Sequence, residues 1–171
     1  MSIRKQLQKE FSKMNSVKVS LMVGANEDLF AELIDCLLEK DAEIARRAAW
    51  AISFCLKKNP FLFDQHVSVF IDIMNNKTCH VAVKRAATQA LQFMEIPEEM
   101  EGLAYDYGIN ILYDPDEGIA VKAYVLQMLQ NIVLKYPELK QELIQLVEDR
   151  MPFESPAFKS RGKKLLKILN K

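Results

Sequence analysis

The chain of 171 residues is 50% hydrophobic and 27% charged, with 23 Lys and Arg balanced by 23 Asp and Glu. That length supports a single domain with a substantial core, and the apolar fraction excludes a disordered protein. Three cysteines are too few and too irregular for a disulfide framework and suit a reducing, cytoplasmic setting. The longest apolar stretch, residues 48–56, falls far short of the roughly 20 residues a membrane helix needs. The N-terminal MSIRKQLQKEF lacks the apolar segment of a signal peptide, so no membrane partner or targeting leader is expected.

In chain order, residues 1–26 read as an N-terminal helical cap. Residues 27–39 follow with Leu29, Phe30, Leu33, Ile34, Leu37 and Leu38 on one face of a helix. A second helix comes next, centred on ARRAAWAISFCL, and then Asn59-Pro60, the signature of a helix N-cap followed by proline in the first turn. Residues 61–75 carry Val67, Phe70, Ile71 and Met74 at helical spacing and are expected to be one continuous helix. The remaining helices are predicted over 79–95, 98–113, 117–135, 138–149 and 156–171, the last opening on Ser155-Pro156. No window shows the sustained alternation of a strand.

The punctuation is periodic. Pro60, Pro97 and Pro137 form one series and Pro115 and Pro152 another, each spaced by 37 to 40 residues. The blocks ARRAAWAISFCL, VKRAATQALQFM, VKAYVLQMLQNI and FKSRGKKLLKIL begin at Ala45, Val83, Val121 and Phe158, at intervals of 38, 38 and 37. Their first, fifth, eighth and twelfth columns are apolar or small throughout, an i, i+4, i+7, i+11 stripe predicting one buried face per helix. A two-helix unit of this period predicts an all-α solenoid, an α-α superhelix of about four stacked hairpins over residues 27–169, within one domain spanning 1–171.

The segments FAELIDCLLEKDAEIARRAAWAI and INILYDPDEGIAVKAYVLQML, a leucine-rich helix, an acidic turn and a V-R/K-x-x-A helix, resemble the HEAT/armadillo repeat family. The resemblance implies a ladder between repeats pairing a turn acid with a base in the second helix. Arg46, Lys84, Lys122 and Lys159 occupy the basic column, with Asp41, Asp116 and Glu154 as acids; Asn76-Lys77-Thr78 interrupts the acidic series. The same basic column has a second reading as ligand contact.

Zero net charge conceals a separation. The leucine-rich helices hold fifteen acids and a single base, Lys140, whereas the alternating set holds fourteen bases and three acids. In HEAT-like stacks the second helices line the concave face, which the resemblance therefore makes basic or polar. Columns three, seven and ten, opposite the buried stripe, are expected to face that groove. They supply Arg47, Phe54, Arg85, Gln89, Gln92, Gln127, Gln130, Lys164 and Lys167, with Ala51 and Ala123 among them and Trp50 at the edge. Such a lining suits carboxylates or phosphates; a merely solvated helix face is the alternative.

No assembled catalytic constellation is visible. The five glycines are scattered, and no CxxC, HExxH or calcium-loop pattern occurs. Cys79-His80, His66 and the Asp114–Glu117 turn are weak candidates for metal or nucleophile chemistry, so no cofactor, metal or catalytic residue is expected. The expected function is a non-enzymatic binding module or adaptor for a protein or peptide, an acidic one suiting the basic lining. The alternative is nucleic-acid binding: Arg46-Arg47-Ala48-Ala49 and the architecture look like the HEAT-like DNA-alkylation-repair glycosylases, although the neutral charge and the lack of a placed catalytic Asp depart from them.

Overall fold

A computed structural model of the chain describes residues 2–171. The described residues form ten α-helices and three short 3-10 segments, with turns between them and no strand. Consecutive helices pack on one another as in a helical-repeat solenoid. The chain divides into two compact units, residues 1–90 and 91–171.

In the first unit, α1 (Ile3–Lys9) and α2 (Lys13–Val23) start at Ser2 and Ser12, whose hydroxyls accept the backbone N–H groups of Lys5 and Asn15. Their turn is tied by buried side chains: Gln6 Nε2 donates to Asn15 Oδ1 at 2.7 Å, and Asn15 Nδ2 donates to the carbonyls of Gln6 and Glu10. α2 ends at Gly24, whose φ of 52° is the left-handed conformation that favours glycine. α3 (Glu27–Leu37) and α4 (Ala42–Lys58) are capped by Asn26 and Asp41. α4 packs against α1, α2 and α3 and is the centre of this unit. The cap predicted for residues 1–26 is thus a helix pair that buries Ile3, Leu7, Val19 and Val23.

The continuous helix predicted over 61–75 is instead a 3-10 segment, Pro60–His66, followed by α5 (Val67–Asn75). The cause is tertiary. Phe63 sits 4.7 Å from Phe30 and 5.5 Å from Phe70, measured between ring centroids, and the tighter winding turns both Leu62 and Phe63 inward. α6 (Val81–Leu91) closes the unit.

The second unit contains α7 (Glu98–Tyr113), α8 (Ile119–Val133), α9 (Lys140–Arg150) and α10 (Pro156–Leu169). α8 is sandwiched between α7 and α10, and ten of its residues are buried, so it has no wholly solvated face. Gly108 marks the closest approach, since a Cβ there would lie 2.8 Å from Leu129 Cδ2. Gly162 plays the same part on α10, against Val147 and Met151.

Every member of the predicted four-column stripe, from Ala45 through Leu169, is buried. The opposite columns behave differently. Ala51, Gln92, Ala123 and Gln130, expected to face the groove, are buried. A second helix in this fold touches neighbours on two sides, so the opposite of one buried stripe is not automatically solvent.

Candidate binding cleft

The second helix α4 brings its two arginines into different surroundings. Arg47 Nη1 donates to the carbonyls of Leu7 and Gln8 at 2.8 and 3.1 Å, and its Nε and Nη2 donate to Glu43. These bonds satisfy carbonyls at the end of α1 that lack helical partners. Arg47 is therefore a latch between α4 and α1, not the groove side chain its column suggests. Arg46 also reaches Glu43, at 2.7 Å, while its guanidinium lies 4.0 Å above the ring of Phe11. Hydrogen bonding from Arg47, helped by the charge of Arg46, holds the Glu43 carboxyl below its ordinary range.

Phe11 extends this arrangement. Its ring stands 5.0 Å from Trp50, although Phe11 is 44% exposed. Arg46, Phe11 and Trp50 thus form one wall of an open cleft of about 470 Å³, which Ser53, His80, Val81 and Arg85 complete. His80 Nδ1 accepts the backbone N–H of Ala82 and so shapes the start of α6. Arg85, one turn further, is exposed. No carboxylate lines the cleft. Two guanidinium groups beside an exposed aromatic face can take a carboxylate or phosphate together with a flat or apolar group. Arg85, from an expected groove column, and Trp50, expected at the groove edge, both line this cleft. Phe11 was not legible in the sequence, because it comes from the α1–α2 turn, far from the repeats in sequence.

In the second unit, Lys122 is 3% exposed and its Nζ donates to Glu154 at 2.8 Å. Arg150 meets the same carboxylate at 2.7 Å. The bond joins the second helix of one hairpin to the turn preceding the second helix of the next. A family model described as a HEAT repeat domain matches residues 3–169. The chain belongs to the HEAT repeat domain family. A comparison with curated proteins finds no match.

Against the HEAT ladder pattern, Glu154 and not Asp116 faces Lys122. Asp116 instead donates its backbone N–H to Asp114 Oδ1 in the exposed turn. Asp41 is spent on the N-cap of α4, accepting from Glu43 and Ile44. Lys84 is buried and Lys159 is half-buried. Two of the predicted groove residues of the second unit, Gln92 and Gln127, are engaged by Asn131 and Arg161. Asn131 donates to the carbonyl of Gln92 and accepts from Gln127, and Arg161 donates to Gln92 Oε1 at 3.1 Å while lying 6.0 Å from the Tyr124 ring. Asn131 and Arg161 escaped the sequence reading because neither falls on the columns expected to face the groove. Phe54 and Gln89 are half-buried, and Lys164 and Lys167 are exposed on α10.

The other chemical candidates disperse. His66 packs its ring edge 5.4 Å from Phe30, and burial pushes its pKa down. The Cys79 thiol points to the carbonyl of Asn76. Among the described residues, no group of three His, Cys, Asp or Glu side chains could hold a metal. Nor is any helix among them long and apolar enough to cross a membrane.

Proposed function

We propose that this HEAT repeat domain is a non-enzymatic binding module that engages an acidic protein or peptide segment through the Phe11–Arg46–Trp50–Arg85 cleft. HEAT repeats are helical scaffolds, commonly for protein interaction and generally without enzymatic activity. The observation that carries the reading is the cleft itself. Two guanidinium groups flank an aromatic pair that solvent reaches, with no acid in the lining. The cleft lies on α4 and α6, the second helices that HEAT stacks turn toward their concave side. Three cysteines free of disulfides suit a cytoplasmic setting.

The chain has one tryptophan, and it stands in this wall, so binding reports itself. A peptide rich in glutamate and bearing a tyrosine should change the Trp50 emission on titration. Arg85→Glu should weaken that binding about tenfold or more, since it replaces attraction by repulsion at a charged interface. Unchanged emission, with no heat of binding by calorimetry, defeats the reading. The same titration with duplex and single-stranded DNA at two salt concentrations decides the alternative. Nucleic-acid binding should fall steeply with salt as counterions are released, and such a fall, together with no peptide binding, would favour it.

A further inference from the structure

The second unit contains a larger cleft of about 720 Å³, framed by α7, the end of α8, the 3-10 turn Pro137–Leu139 and the start of α9. Two adjacent rows of α7 line it. Glu98, Gly102, Asp106 and Asn110 follow one another at i+4 spacing, and Glu101, Tyr105 and Ile109 form the neighbouring row. Tyr136 and Glu142 close the far side, and no Lys, Arg or His belongs to the lining.

Its polar groups are not equivalent. Glu101 is 2% exposed and already satisfied, accepting from Lys135 Nζ at 2.6 Å and Tyr136 Oη at 2.5 Å. Tyr105 Oη donates to Glu142 at 2.7 Å. Lys135 thus compensates one carboxylate, while Glu98, Asp106 and Glu142 stand exposed around two tyrosine rings.

Gly102 is a separate observation. Glycine inside a helix destabilises it relative to alanine, so an interior glycine calls for a reason. Gly108 and Gly162 have one, for a Cβ at either would press on a packed side chain. At Gly102 a Cβ would meet nothing within 4 Å, and its φ is not positive. No contact or backbone requirement of the fold explains it. Gly102 lies in the lining of the acidic cleft, and the space its Cβ would take is open.

We infer that this cleft binds an arginine or lysine side chain of a basic segment on a partner protein, with the stem over Gly102 and the cationic head toward Asp106, one turn further along the same row of α7. A metal cation does not suit it, because no three of its acids lie close enough together to hold one among the described residues. An organic cation does, since its long apolar stem matches half-buried Ile109 and Leu139, and its charged head meets carboxylates beside the half-buried Tyr136 ring. The inference is independent of the cleft in residues 2–90, which selects the opposite charge.

The test uses the full chain and a short peptide of alternating arginine and glycine, with a control in which citrulline, neutral and of nearly the same shape, replaces arginine. Calorimetry should show the arginine peptide binding about tenfold or more tightly than the control. Gly102→Leu fills the open space and Asp106→Asn removes one exposed charge; each should weaken the arginine peptide by about tenfold while leaving the acidic-peptide titration of Trp50 unchanged. Helical circular dichroism and a thermal midpoint close to the parent's show that the variants remain folded. Equal affinity for the citrulline peptide, or undiminished binding in both variants, overturns the inference. Spermidine matching the peptide's affinity would assign the cleft to free polyamines and overturn the docking of a protein segment.

Discussion

At the scale of single residues, the most consequential bond is the rung between Lys122 and Glu154. Both side chains are nearly inaccessible, at 3% and 9%. Burial by itself would raise the Glu154 pKa, but hydrogen bonds from Lys122 and Arg150 outweigh it and hold the carboxyl below its ordinary value. A carboxyl lowered in the folded state stabilises the protein above its unfolded pKa, and that contribution is lost as pH falls through the lowered folded value. Glu154→Ala should cost about 3–5 kcal/mol, because it strands a buried ammonium. Replacing Lys122 by Met and Glu154 by Leu together should cost less. Urea denaturation at neutral pH measures both effects. Repeated between neutral pH and about pH 3, it should show a shallower acid loss in Glu154→Ala than in the parent protein. The cysteines make a second residue-scale case. Burial pushes the Cys36 and Cys55 thiols up to about 12 and about 11, respectively, while Cys79 is only half-buried. Alkylation of the native protein followed by mass spectrometry should therefore mark Cys79 first, since the thiolate is the reactive form. Simultaneous labelling of all three would mean that the core opens readily.

At the scale of elements, helix stability and helix packing make opposite demands on glycine. In α7, Gly102→Ala should raise stability by about 0.5–1 kcal/mol, the usual helix gain, because nothing opposes the added methyl. Six residues on, Gly108→Ala should lower stability by about 1 kcal/mol or more, because its Cβ would crowd Leu129 and Met128 where α7 crosses α8. Opposite shifts of the thermal midpoint are the expected result, and shifts of the same sign would mean that the α7–α8 spacing is wrong. Ile52 and Leu129 are both fully buried; truncating either to Ala should cost about 2–5 kcal/mol, measurable by denaturant titration. An unchanged midpoint in both would contradict the register of α4 and α8.

At the scale of the whole molecule, a net charge of zero hides two clefts of opposite sign. The cleft of the first unit carries arginines and no acids, whereas the larger one in the second unit carries four acids and no bases. Each unit should therefore respond to its own ligand class. Arg85→Glu should weaken acidic-peptide binding about tenfold and spare the arginine peptide, and Gly102→Leu should do the reverse. Paired titrations on both variants check this; loss of both ligands in either variant would show that the substitution acts through folding and not through a cleft.

The helical content, the repeat and the buried stripe were legible in the residues alone, because an amphipathic helix writes its inner face at a spacing that packing cannot avoid. Ala45, Val125 and Leu165 are buried for that reason. The opposite faces were not legible. Gln92 and Gln130 share a column with exposed Lys167, yet they are buried, because how many neighbours a helix has depends on where it sits in the stack. Burial on the second side is a property of the assembly, and no single helix encodes it. The clefts make the same point. Arg85 could be suspected from its column and Trp50 from its place at the groove edge, but Phe11, which completes their wall, and the empty space above Gly102 exist only once separate turns and helices are brought together. Local periodicity determined which face of each helix goes inward, and tertiary packing alone decided which outward side chains hold the fold together and which stay exposed.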